Sequence, residues 1–112
     1  MKIYISAPIS GTSDYKERFE KAERSIEAKG HEGINPCKLD AILKPETTSW
    51  EQYMLADLGL LRACDAICVL GSWERSRGCR QEVEEAKRNG MKIYKGLDFV
   101  PRKDNNADTD NT

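Results

Sequence analysis

SWEQYMLADLGLLRACDAICVL, Ser49 to Leu70, holds a helix and a strand in immediate succession, and that succession decides the fold. In the first part Trp50, Tyr53, Met54, Asp57, Leu61 and Cys64 recur at helical spacing, and Ser49 with Gln52 has the pattern of a capping box. The second part, Asp65 to Leu70, is a short apolar run of the kind buried inside a parallel sheet. Asp57 stands on the helical stripe where an apolar residue would give a more stable protein. A carboxylate there loses hydration and needs a partner or a task.

Working outward, Lys2 to Ser6 alternates polar and apolar residues and reads as a first strand. It leads into the loop Ala7, Pro8, Ile9, Ser10 and Gly11, after which Thr12 or Ser13 can cap a helix. Tyr15, Phe19, Ala22 and Ile26 form that helix's apolar stripe, and Gly30 ends it. A short strand is expected over Glu32 to Asn35. Residues 37 to 48 read as a long irregular loop of the kind that forms a lid or ligand wall. Beyond Leu70, the loop Gly71 to Arg77 precedes a helix from about Gly78 to Asn89. Met91 to Lys95 is a fourth strand, and Leu97 to Val100 a candidate fifth. The expected fold is a three-layer α/β domain of flavodoxin or Rossmann type over residues 1 to 100, with a parallel sheet of four to five strands and helices on both faces. Residues 101 to 112, PRKDNNADTDNT, read as a disordered polar tail.

Composition narrows the function classes. The chain has 112 residues, 33% of them charged, with a net charge of -1. That balance gives no global field for nucleic acid or membrane binding. No apolar run approaches the roughly 20 residues of a membrane span, and the N-terminus is too short and polar for a signal peptide. Cys37, Cys64, Cys68 and Cys79 form no CxxC pair, and His31 is the one histidine, so no metal site is expected. Reduced thiols in a cytoplasmic protein account for the cysteines.

In parallel sheets the ligand sits at the carboxyl ends of the strands. Ser6, Ala7, Pro8, Ile9 and Gly11, at the end of the first strand, are therefore expected to line it. Glu82 follows the loop containing Trp73, Ser76 and Gly78. Gly78 permits close backbone approach, and Ser76 with the free amides offers donors to an anion or sugar hydroxyl. The helix N-terminus should favour ionised Glu82, which suits a nucleophile or electrostatic stabiliser, whereas the apolar side of its helix should keep Asp57 protonated, as a general acid requires. Two carboxylates pushed apart in this way suit glycosidic bond cleavage. The plainer alternatives are a solvated helix charge for Glu82 and a buried acid paired to Arg62 or a backbone amide for Asp57. Tyr4 can hydrogen-bond a catalytic carboxylate or serve as a core ring. Core packing is the commoner role for Trp50 and Tyr53, whereas Trp73 lies in a polar loop and suits base stacking. Arg75, Arg77 and Arg80 could hold a phosphate or form a solvated basic edge.

Three segments, KIYISAPISG, MLADLGLLRACDAICVL and SWERSRGCRQEVEEA, together resemble the nucleoside 2-deoxyribosyltransferase superfamily, including the 2'-deoxynucleoside 5'-phosphate N-hydrolases. The closest likeness is to a short branch found in phage and bacterial genomes. The resemblance implies that Glu82 attacks C1' to form a glycosyl-enzyme, that Asp57 assists the departing base, and that Tyr4 orients Glu82. Water or a second base then takes the deoxyribosyl group. It also implies a small-molecule nucleoside or nucleotide as partner, no cofactor, and a homodimer or larger homo-oligomer. Ser10 stands where the phosphate hydrolases carry arginine, so phosphate recognition falls to Ser76, backbone amides or the arginine cluster, or is absent. Cys79, Arg80 and Gln81 are bulkier than the small residues often found between that glycine and glutamate. Two other functions stay open: a non-catalytic module binding a nucleotide-derived ligand, and an NAD-type N-ribosyl hydrolase.

Overall fold

A computed structural model describes residues 1–9 and 14–103; Gly11, the candidate caps Thr12 and Ser13, and the tail from residue 104 lie outside it. Four strands, β1 (Lys2–Ser6), β2 (Glu32–Ile34), β3 (Ala66–Val69) and β4 (Lys92–Tyr94), form one sheet in the order β2-β1-β3-β4. All three pairings are parallel, with Ile3 opposite Gly33 and Ala66, and Ala66 opposite Lys92. The chain leaves β1 in one direction to β2 and later returns to its other side as β3. The sheet thus has its switch point between β1 and β3, where a crevice opens at the carboxyl ends.

The period of two in β1 sorts its side chains into two cores. Ile3 and Ile5 face Phe19, Ala22 and Ile26 of α1 (Tyr15–Ala28), together with Ala66 and Cys68. Tyr4 points the other way, among Leu61 of α2 (Trp50–Arg62), Val83 and Ala86 of α3 (Arg77–Arg88), Ile67 and Val69. One helix covers one face and two cover the other, which gives the three layers. No helix among the described residues is long and apolar enough to cross a membrane.

The capping box of α2 is complete. Ser49 Oγ accepts from Gln52 N at 3.1 Å, and Gln52 Oε1 accepts from Ser49 N at 2.8 Å. Ser49→Ala should lower stability by about 1 kcal/mol, the usual contribution of such a cap, measured by urea unfolding.

Two segments differ from expectation. Leu97 to Val100 is no fifth strand: Leu97–Phe99 is a 3-10 turn. Gly96 enters it at φ 135°, and Lys29 Nζ donates to the carbonyls of Leu97 and Val100 at 2.5 and 3.0 Å, so these groups are engaged away from the sheet edge. The long loop after β2 is also more ordered than its composition implied. It holds 3-10 turns at Pro36–Ala41 and Pro45–Thr47, the first capped by Asn35 Oδ1 accepting from Cys37 N at 2.9 Å.

Candidate active site

The crevice at the strand ends is a cleft of about 590 Å³. The loop after β1 contributes Ala7, Pro8 and Ile9. Asp40 comes from the first 3-10 turn, Tyr53 and Asp57 from α2, and Ser76, Gly78 and Glu82 from α3 or the segment leading to it.

Glu82 is 6% exposed and sits at the cleft floor. Tyr4 Oη donates to its Oε2 at 2.5 Å and Ser6 Oγ to its Oε1 at 2.6 Å, so each carboxylate oxygen is held by one residue of β1. The two donors are two apart on the strand and therefore share a face. Cys79, Glu82, Val83 and Ala86 are the buried side of α3, at offsets of three, four and seven. Tyr4 is wholly buried and is not part of the cleft lining, whereas Ser6 reaches the lining and holds Glu82 there. The solvated alternative for Glu82 is thus overturned. Its neighbour Glu85 is also buried, and is bound to Arg62, Arg88 and Asn89.

Burial pushes the Glu82 carboxyl above the ordinary glutamate range, with the hydrogen bonds from Ser6 and Tyr4 opposing it. This reverses the expectation drawn from the helix terminus. Glu82 is the sixth residue of α3, past the first turn in which the helix dipole acts, so desolvation prevails. Asp57 rises to about 7, through burial first, then the charges of Glu82 and Asp40. Arg62 leaves Asp57 alone, since it donates to Glu85 Oε2 at 2.6 Å, and the Asp57–Arg62 alternative falls.

The acids are set between two contacts of α2 with α3. On the cleft side, a Cβ added to Gly78 would lie 3.4 Å from Met54 Sδ, so glycine lets the helices come close. On the far side is the Arg62–Glu85 ion pair, about one turn beyond each acid.

Residues 1–95 match the family described as Domain of unknown function (DUF4406). The chain belongs to that family. No curated protein matches it. Among solved structures, this DUF4406 chain is similar to a 2-deoxyribosyltransferase from the psychrotolerant bacterium Bacillus psychrosaccharolyticus, described as a biocatalyst for the synthesis of antiviral and antitumoral nucleosides. The two are 22% identical with a TM-score of 0.65, over 83% of this chain and 69% of the other. At that identity the likeness is one of fold, and it places the DUF4406 domain in the three-layer α/β architecture of the deoxyribosyltransferases.

The aromatic residues of the DUF4406 chain exchange their expected places. Trp73 stays out of the cleft lining and packs against the Tyr4 core, with Lys95 Nζ 5.8 Å from its ring centre. Trp50 and Tyr53, read as core, line the cleft instead. Trp50 is 39% exposed at the first turn of α2. Tyr53 Oη donates to the Leu43 carbonyl at 3.0 Å and to Asp40 Oδ1 at 3.2 Å, which ties α2 to the loop after β2.

Ser76 is engaged as the N-cap of α3, its Oγ accepting from Cys79 N at 3.3 Å. Cys37 also lines the cleft, but burial lifts its thiol to about 11, which keeps it from acting as a thiolate near neutral pH. All four cysteines are free, and no metal-ligand cluster occurs among the described residues. Asp40 gave no signal in the sequence, because it lies in a segment without periodicity.

Proposed function

We propose that this chain cleaves the N-glycosidic bond of a 2'-deoxynucleoside or its 5'-monophosphate. The observation that carries the reading is a buried carboxylate at the cleft floor, held at both oxygens by β1, with a second acid of pKa about 7 in the same cleft. Glu82 attacks C1' as the bond to the base nitrogen breaks, and Asp57 gives its proton to the departing base. The resulting glycosyl ester is released by water, whose proton passes to the Asp57 carboxylate as the new C1'–O bond forms and Glu82 leaves. A second base can replace water by forming a C1'–N bond. The deoxyribosyltransferase fold supports the same bond class.

The test is chromatographic detection of free base from a panel of deoxynucleosides, their 5'-monophosphates and the ribose counterparts. Release from a deoxy substrate is the expected result. No release from any of them by folded protein would overturn the reading in favour of a binding module. Preference for the ribose compounds would favour ribosyl hydrolysis instead.

The Tyr4 hydroxyl holds down the pKa of Glu82. Tyr4→Phe should therefore move the acidic limb of kcat/KM to higher pH. It should also lower kcat roughly 10- to 100-fold, the range for losing one hydrogen bond to a charged group. A pH–rate series on both proteins checks this.

A further inference from the structure

We propose that Arg77, presented on the ring of Trp50, selects substrates that carry a 5'-phosphate; this rests on the glycosidic reading of the same cleft. The Arg77 guanidinium lies 4.0 Å from the centre of the Trp50 ring. Both residues line the cleft, and the stack bridges the first turns of α2 and α3.

The other arginines make clear why this one is distinctive. Arg18 pairs with Asp14; Arg24, Arg62 and Arg88 pair with glutamates, and Arg80 donates to the Glu74 carbonyl at 2.8 Å. Arg77 and its neighbour Arg75 have no carboxylate partner among the described residues, although both line a cleft that contains Asp40, Asp57 and Glu82. The indole face holds the Arg77 guanidinium within the cleft, and a guanidinium, unlike an ammonium, can make bidentate contact with a phosphate. A lysine in its place could offer only a point charge.

Arg77 opens α3 five residues before Glu82, and both side chains line the same cleft. With C1' at Glu82, Arg75 and Arg77 are the cations of the cleft lining open to a 5'-phosphate. Phosphate recognition then comes from the α2–α3 side of the cleft.

Isothermal titration with 2-deoxyribose 5-phosphate, 2-deoxyribose and inorganic phosphate tests this, because none of the three carries a base to be cleaved. The wild type should bind the phosphorylated sugar at least about 30-fold more tightly than the free sugar, and more tightly than inorganic phosphate. Arg77→Gln should cut the first ratio about tenfold, and Trp50→Leu about threefold, in proteins whose circular dichroism and melting match the wild type. Equal affinity for the two sugars, or a preference unchanged by Arg77→Gln, would overturn the proposal. Tighter binding of inorganic phosphate than of the sugar phosphate would also overturn it. Phosphate preference without base release from any nucleotide would leave the anion site standing and remove only the glycosidic reading.

Discussion

Glu82→Gln is expected to abolish base release, lowering kcat by about 10⁴-fold or more while the protein stays folded. A glutamine can still hydrogen-bond the hydroxyls of Tyr4 and Ser6, so the support from β1 is retained. It cannot form the glycosyl ester, and loss of a nucleophile is among the largest single effects in enzyme kinetics. The substitution also relieves a desolvated carboxylate, so melting should be unchanged or slightly raised. Burst kinetics and melting curves on both proteins check this together. Near-normal release by Glu82→Gln would sink the covalent mechanism, whatever the substrate.

The second large effect belongs to Asp57→Asn. An acid of pKa about 7 should give kcat/KM an alkaline limb near pH 7, and Glu82, raised above its ordinary range, an acidic limb below it. The asparagine should remove the alkaline limb and lower kcat roughly 10²- to 10⁴-fold. The loss should be smallest for a substrate whose base leaves without protonation, such as an N7-alkylated purine. Stability should move the opposite way. Because the folded pKa is raised, the folded state holds its proton to higher pH than the unfolded chain. The wild type therefore loses stability as pH rises from about 4 through 7. About three units corresponds to roughly 4 kcal/mol as an upper limit, and partial exposure of Asp57 reduces this to about 1–2 kcal/mol. Asp57→Asn should thus melt roughly 5–10 °C higher at pH 8, with little gain at pH 4. Equal melting of the two proteins at pH 8 would contradict the raised acid.

What could be read from the sequence was what local pattern encodes. The alternation of Lys2 to Ser6, the stripe of α1 and the Ser49–Gln52 box each mark an element within a few residues. Their order alone implies a parallel sheet with its cleft at the strand ends. The contact of Tyr4 with Glu82 spans 78 positions, and no spacing rule reaches that far; the family likeness brought the two together. Ser6 was expected only to face the ligand, although its period-two relation to Tyr4 already placed both hydroxyls on one side. The tryptophans depart from expectation because neither a polar flanking loop nor a place on a helical stripe fixes exposure. Trp73 folds back over the Tyr4 core, while Trp50, at the start of α2, lines the cleft. The Glu82 shift runs against the helix terminus because burial, which no spacing pattern encodes, outweighs it.

The two contacts that fasten α2 to α3 divide labour within this cleft. Close approach at Gly78 and the Arg62–Glu85 pair hold Asp57 and Glu82 in register from either side, on helices packed against the sheet. Much of the remaining wall comes from the segments around Pro36 to Pro45 and Ser72 to Ser76, outside those two helices. Such a layout is modular. Changes in the wall segments alter what the cleft admits, while the spacing of Asp57 and Glu82 is set elsewhere, by the contacts of the two helices.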